Sequence, residues 1–176
     1  MTTIRLGVLG CGNVGAALVR LVGEQADAIE ARSGVRLEVA KVAVRNLSAQ
    51  RAVALPEGVL TRDAASVVTD PSIDIVVELI GGIEPARELI TTALRHGKPV
   101  VTGNKELLAN VGTELFAVAE EAGVDLLFEA SGGDALYDQR DIQRAFRDVH
   151  AANNHAALTW DVAASLYGKV ALGIRI

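Results

Sequence analysis

The feature that most constrains the fold is a glycine-rich segment at residues 10–15, with the sequence GCGNVG. It follows an apolar run at residues 4–9, which has the length of a buried strand. It precedes a segment in which Leu18, Leu21 and Val22 are predicted to share one face of a helix. The order of these segments predicts a strand, a tight turn and a helix, which together form the βα unit of an α/β protein.

Each glycine of this turn has a separate steric task. Gly10 permits the turn, Gly12 leaves room for a pyrophosphate, and Gly15 lets the helix pack against the strand. Phosphates bound there would lie over free N–H groups at the helix N-terminus, where the helix dipole favours negative charge. We therefore predict that Gly10, Gly12, Asn13, Val14 and Gly15 bind a dinucleotide cofactor. The alternative is a purely structural glycine turn, since such turns are common.

Strands and helices alternate through the first three quarters of the chain. Apolar runs predict further strands, and segments with helical spacing predict the helices between them. This alternation predicts an α/β fold with a Rossmann-like, doubly wound parallel sheet. The further predicted strands are residues 37–44, 73–80, 99–102 and 124–128, and the further predicted helices are a short one within 63–70, then 85–96 and 106–122.

The character of the sequence changes near Gly132 and Gly133, where the alternation stops. The only Trp and both Tyr residues lie beyond this point. The chain ends in an apolar segment that could extend the sheet or pair with a second copy, so the prediction leaves room for a homodimer. We predict a dinucleotide-binding domain at 1–133 and a short C-terminal appendage at 134–176, with helices at 138–150 and 155–167 and a strand at 169–176.

Composition narrows the class of protein. Half of the residues are hydrophobic but only 3% are aromatic, so we expect a core of small aliphatic side chains. The net charge is −5 with both signs mixed along the chain, which predicts neither a nucleic-acid nor a membrane partner. The single cysteine, Cys11, excludes an internal disulfide, and no secretory leader is apparent, so a cytoplasmic setting is expected. The histidines lack metal-ligand spacing, so we predict no metal site.

The end of the second strand should decide which dinucleotide is preferred. An acidic residue there would bind the ribose 2′-hydroxyl of NAD, but this chain has Val44 and Arg45. Arg45 could pair with a 2′-phosphate or stack on the adenine, with Asn46 and Ser48 as neutral hydrogen-bonding neighbours. We therefore predict NADP in preference to NAD. The alternative is that Arg45 is a solvated charge in a loop.

Three further motifs make the chain resemble one enzyme family. They are residues 77–82 (VELIGG), 100–109 (VVTGNKELLA) and 127–130 (LFEA), and in order and spacing they are similar to those of homoserine dehydrogenase. The resemblance covers roughly residues 3–131. It implies an NAD- or NADP-dependent oxidoreductase that interconverts homoserine and aspartate semialdehyde in the synthesis of threonine and methionine.

The resemblance also assigns roles to residues of this chain. The turns after the third and fourth predicted strands should lie along the same sheet edge as the first glycine turn. There, Gly81, Gly82, Thr102 and Asn104 would line the nicotinamide side of the cofactor. Lys105 would approach a substrate oxygen and help by electrostatic stabilisation or proton transfer. The alternative for Lys105 is a solvated lysine at a helix start.

The match to the family stops near residue 131. Glu129 resembles a position beside a monovalent-cation site, but the motif departs from the family immediately afterwards, so no cation is predicted. The remaining residues are too few for the family's substrate domain. Residues 148–158 resemble its active-site helix, and in that alignment His150 and Asn154 would stand at the positions of its catalytic Asp and Lys; the alternative is that this segment is unrelated to that helix. Three hypotheses follow: a homoserine dehydrogenase, a cofactor-binding module without turnover, or a dehydrogenase for another amino acid or semialdehyde.

Overall fold

The computed structural model describes residues 2–128, which form six strands and five helices. The first strand, β1 (Thr2–Leu9), leads into the glycine turn, and α1 (Asn13–Glu24) begins directly after it. The later elements are α2 (Ala26–Ser33), β2 (Val35–Ala43), β3 (Leu60–Thr61), α3 (Ala64–Thr69), β4 (Ile75–Glu78), α4 (Ala86–Arg95), β5 (Val100–Thr102), α5 (Lys105–Ala122) and β6 (Leu126–Phe128).

Six parallel strands form one sheet in the order β3-β2-β1-β4-β5-β6. The chain therefore builds outwards from β1, first to one side through β2 and β3 and then to the other through β4, β5 and β6. In sheets of this kind, ligands bind outside the carboxyl ends of the strands, where the strand order reverses. The sheet confirms the predicted Rossmann-like, doubly wound α/β fold and places that reversal between β1 and β4.

Consecutive residues of the central strands point to opposite faces, and each face has its own core. Val8 and Val77 pack with Val19 of α1 on one face. Leu9 and Val76 belong to the other core, to which α3, α4 and α5 contribute. Helices therefore cover both faces of the sheet, which explains why its strands are nearly continuous apolar runs.

The register aligns the last residues of neighbouring strands in one row. Leu9 pairs with Ala43 of β2 on one side and with Glu78 of β4 on the other. Glu78 in turn pairs with Thr102 of β5. The turns that follow β1, β4 and β5 consequently leave the sheet side by side at its carboxyl edge.

The buried face of α1 differs from the predicted one. Its buried residues are Gly15, Ala16, Val19 and Val22, whereas Leu21 is 54% exposed. Leu18, Leu21 and Val22 share one side of the helix by their spacing, but only Val22 of the three is buried. The close approach of Gly15 to the preceding turn determines which side of the helix meets the sheet, and apolar spacing alone does not show this rotation.

Two elements were absent from the prediction. The helix α2 has no buried residue, and Arg36 of β2 holds it through Asp27 (3.1 Å) and Glu30 (2.7 Å). The strand β3 is only two residues long and pairs with the end of β2. Neither element has an apolar stripe, so hydrophobic periodicity does not reveal it.

Several predictions concern residues outside the described range. They are the boundary near residue 133, the appendage at 134–176, and the positions of Glu129, His150 and Asn154. These stay predictions. Between residues 2 and 128, no helix combines the length and apolar character that crossing a membrane requires.

Candidate functional site

The first glycine turn is packed too closely for side chains at two of its three glycines. Gly10 has φ +98°, and a Cβ there would lie 2.7 Å from the carbonyl oxygen of Leu79. A Cβ at Gly15 would lie 2.2 Å from the carbonyl oxygen of Gly10. The N–H of Gly10 also donates to the carbonyl of Ala43 at 2.9 Å, which ties the turn to the end of β2. These distances confirm the steric tasks predicted for Gly10 and Gly15.

Gly12 has the opposite environment. A Cβ there would meet no atom within 4 Å, so the space outside this residue is open. Gly12 is the N-cap of α1, no side chain caps the helix, and its first turn has no acidic residue. The N–H groups of Asn13 and Val14 begin the helix beside this opening. An exposed helix N-terminus with no side chain over it suits a phosphate or pyrophosphate group.

Leu79, the residue after β4, joins three of the turns. Its N–H donates to the carbonyl of Leu9 at 2.8 Å, and its carbonyl packs under Gly10. One of its methyl groups lies 3.0 Å from the Cβ position of Gly103 and the other 3.9 Å from that of Gly15. The side chain therefore spaces the first glycine turn from the turn after β5.

A buried polar network connects the turns after β4 and β5. Glu78 is 0% exposed, and its Oε1 accepts from the N–H of Ile80 at 2.7 Å and from that of Gly81 at 3.4 Å. The hydroxyl of Thr102 donates to Glu78 Oε2 at 2.6 Å and accepts from the N–H of Asn104 at 3.0 Å. The carboxyl group therefore reaches both turns, and three donors satisfy it.

Asn104 completes this network from the other direction. Its Nδ2 donates to the carbonyl of Gly82 at 2.6 Å, and its Oδ1 accepts from the N–H of Leu107 at 3.1 Å as the N-cap of α5. The side chain is almost wholly buried, at 6% exposure. The structure thus brings together the four residues expected on the nicotinamide side, which are Gly81, Gly82, Thr102 and Asn104. The side chains of Thr102 and Asn104 both form hydrogen bonds to other groups of the protein.

Arg45 and Lys105, the two predicted cationic site residues, are both exposed. Arg45 follows Val44, whose N–H donates to the carbonyl of Thr61, so it leaves the carboxyl end of β2 as predicted. Lys105 is the first residue of α5. Within residues 2–128, neither side chain takes part in a hydrogen bond or ion pair.

Sequence reasoning missed Arg51. Its guanidinium donates to the carbonyls of Leu47 (3.1 Å) and Ala49 (2.8 Å) and to that of Asn46, and so shapes the loop after Arg45. It also lies beside Cys11 of the glycine turn. Burial raises the pKa of the Cys11 thiol, and the Arg51 guanidinium acts in the opposite direction. A single arginine in a polar loop has no sequence signal for this role.

Glu78 was also missed, although a signal existed. It interrupts the apolar run at 73–80, and a carboxyl group in a buried strand requires hydrogen-bonding partners. The identity of those partners depends on the register of β4 and β5, which the sequence does not show. In the part of the chain that the structure describes, no group of three or more His, Cys, Asp and Glu residues could hold a metal ion.

Comparison with known proteins assigns this arrangement to a family. A sequence model described as the NAD binding domain of homoserine dehydrogenase matches residues 10–129. The homoserine dehydrogenase of Bacillus subtilis is 43% identical over 131 residues, which are 74% of this chain and 30% of that protein. A crystal structure of the enzyme from Thiobacillus denitrificans is 48% identical with a TM-score of 0.68, and the match covers 74% of this chain and 30% of that one.

A second solved structure agrees. Homoserine dehydrogenase from S. aureus is 37% identical with a TM-score of 0.70, and the match covers 74% of this chain and 34% of that one. The chain thus spans about a third of the length of the relatives it matches. The family predicted from the motifs at 77–82 and 100–109 is confirmed. The chain belongs to the homoserine dehydrogenase family and carries its NAD-binding domain.

Proposed function

We propose that residues 1–133 bind NADP in preference to NAD and act as the cofactor half of an oxidoreductase that interconverts homoserine and aspartate semialdehyde. The observation that carries the cofactor part is the open N-terminus of α1 over Gly12, where no side chain occupies the space within 4 Å of the Cβ position. The family membership supports the reaction.

In this proposal, the chain holds the cofactor at three places along the sheet edge. The N–H groups of Asn13 and Val14 bind the pyrophosphate, and Arg45 pairs with the 2′-phosphate. The turn at Gly81 and Gly82 borders the nicotinamide ribose. Thr102 and Asn104, which are buried, support that border from beneath. The bound nicotinamide supplies or accepts the hydride.

Lys105 is the residue that we propose for direct help in the reaction. It stands at the start of α5, next to the turn that would border the nicotinamide, and its side chain is exposed. An ammonium group there would bind the oxygen on the reacting carbon and stabilise negative charge on it, or transfer a proton to it. Removing the charge should therefore impair turnover more than cofactor binding.

The proposal has wider parts that follow from the family. The small-molecule substrate is homoserine or aspartate semialdehyde, the pathway is the synthesis of threonine and methionine, and the setting is cytoplasmic. A homodimer belongs to the same proposal. Size-exclusion chromatography with light scattering, run with and without NADPH, tests the homodimer.

A titration tests the central proposal. Purified chain is titrated with NADPH and with NADH while nicotinamide fluorescence is followed, and aspartate semialdehyde is then added to the same cuvette. We expect NADPH to bind more tightly than NADH. We also expect NADPH to be oxidised after aspartate semialdehyde is added. Failure of both nucleotides to bind contradicts the proposal. Binding without oxidation of NADPH supports the second candidate, a cofactor-binding module without turnover.

A further inference from the structure

The buried network at the ends of β4 and β5 forms a closed ring of hydrogen bonds. Thr102 donates to Glu78 (2.6 Å), Glu78 accepts from the N–H groups of Ile80 and Gly81, and the chain continues to Gly82. The carbonyl of Gly82 accepts from Asn104 (2.6 Å), and the N–H of Asn104 donates back to Thr102 (3.0 Å). The ring therefore links two turns that leave different strands.

Glu78 determines which way the hydroxyl group of Thr102 donates its hydrogen bond. It is 0% exposed, and within residues 2–128 no lysine or arginine pairs with it. An unpaired buried carboxyl group is costly unless several donors satisfy it, and here three do. Because Glu78 accepts the Thr102 hydroxyl proton, the oxygen of Thr102 is left to accept from Asn104. The two hydrogen bonds at the Thr102 hydroxyl thus strengthen each other.

Within residues 2–128, the Gly81–Gly82 turn makes no hydrogen bonds other than those to Glu78 and Asn104. Both glycines have positive φ, +79° and +74°, and a Cβ at either would meet no atom within 4 Å. The turn is therefore open on the side of its Cβ positions, where a ligand could approach. Its position relative to α5 depends on the bonds from Glu78 and Asn104 beneath it.

We propose that Glu78 is a positioning residue, which acts through Thr102 and Asn104 to fix the spacing between the Gly81–Gly82 turn and the start of α5. This inference rests on the proposed function, since these turns border the nicotinamide end of the cofactor in that proposal. The ring controls affinity for the nicotinamide end and leaves the adenosine end, held by α1 and Arg45, unaffected.

The test compares two ligands that differ only at the end in question. Calorimetry measures the affinity for NADPH and for 2′-phospho-ADP, which lacks both the nicotinamide ring and its ribose. Thr102→Val removes the hydroxyl with little change of shape, Thr102→Ser keeps it, and Glu78→Gln keeps the size of the side chain but replaces an acceptor oxygen by a donor. Thermal unfolding of each variant shows that it is folded.

We expect Thr102→Val and Glu78→Gln each to weaken NADPH binding about tenfold while binding of 2′-phospho-ADP stays within about twofold. Thr102→Ser should bind both ligands as the unsubstituted chain does. An equal loss for both ligands, or no loss for NADPH, overturns the inference. If Glu78→Gln does not fold, the pair at Thr102 decides alone. Failure of the unsubstituted chain to bind NADPH contradicts the proposed function instead and is seen before any variant is made.

Discussion

Two parts of the sheet edge are built by different physical means. The turn after β1 is shaped by exclusion, because Gly10 and Gly15 stand where a Cβ would collide with backbone atoms. The turns after β4 and β5 are shaped by attraction, because a buried carboxyl group gathers donors from both. The first device tolerates no added atom at Gly10 or Gly15. The second joins distant segments and fails when a donor or acceptor is removed.

Gly15→Ala should have the largest effect on the first turn. The new Cβ would lie 2.2 Å from the Gly10 carbonyl oxygen, so backbone must move, and we expect a loss of about 3 kcal/mol or more in the free energy of unfolding. Gly23→Ala, later in the same helix, is the control, since its Cβ meets nothing within 4 Å and should be neutral or slightly stabilising. Urea denaturation measures both; equal stability of the two variants would contradict the steric account.

Gly12→Asp should separate binding from stability. Asp is a good N-cap and its charge suits the helix N-terminus, so stability should be unchanged or higher. Its carboxylate would occupy the proposed phosphate position, and we expect NADPH binding to weaken about 100-fold through repulsion and blockage. Gly12→Asn has a nearly identical shape without the charge and should lose less. If Gly12→Asp keeps full NADPH affinity, the proposal that a phosphate binds at this helix N-terminus is wrong.

Glu78→Ala should have a smaller effect on stability than the first of these changes. It leaves the N–H of Ile80 and the hydroxyl of Thr102 buried without their acceptor, which should lower the free energy of unfolding by about 2 kcal/mol. Glu57→Ala is the matched control, because that glutamate is exposed and should change stability by less than about 0.5 kcal/mol. Equal stabilities, measured by urea denaturation, would show that the ring contributes nothing to the fold.

Arg45→Ala and Arg51→Ala should behave differently at the adenosine end. Arg45 has no partner among residues 2–128, so its loss should weaken NADPH binding about tenfold and leave NADH binding unchanged. Arg51 holds three loop carbonyls, so its loss should weaken both nucleotides alike. Fluorescence titration of each variant with both nucleotides distinguishes these outcomes. If Arg51→Ala instead weakens binding of NADPH and not of NADH, Arg51 is the residue that pairs with the 2′-phosphate.

The ion pair between Asp70, which precedes β4, and Lys41 of β2 should be independent of the proposed cofactor site. Its carboxylate is bound by Lys41 (2.7 Å) and by Ser72, and these hydrogen bonds hold the pKa of Asp70 below its ordinary value. A lowered folded-state pKa stabilises the fold above about pH 4, and this contribution is lost as pH falls further. Asp70→Asn should lower the free energy of unfolding at pH 7 by about 1 kcal/mol. At acid pH, the difference in stability between the variant and the unsubstituted chain should become smaller. NADPH affinity at pH 7 should not change.

Much of the fold was predictable because its signals are local. The alternation of apolar strands and helices predicted the parallel sheet, and Gly97 and Gly123 lie where the predicted helices end. The elements that escaped prediction, α2 and β3, have no apolar stripe. The exposure of Leu21 escaped because the rotation of α1 depends on a contact between Gly15 and the turn.

The candidate site divides in the same way. The steric tasks of Gly10 and Gly15 follow from their spacing between a strand and a helix, so residues 10–15 suffice to predict them. The partners of Glu78 do not, because Thr102 is 24 residues away in sequence and reaches it only through the pairing of β4 with β5. The bonds of Arg51 are also hidden, since a loop has no periodicity.

The family, the parallel α/β architecture and the glycine turn could be predicted because each depends on residue types at short, regular spacing. The side chains that support the turns after β4 and β5 could not, because they meet only when the sheet has formed. Register set Glu78 opposite Thr102, and the burial of that row required every polar atom in it to find a partner. Spacing along the chain specifies a turn, whereas pairing across strands specifies which turns act together.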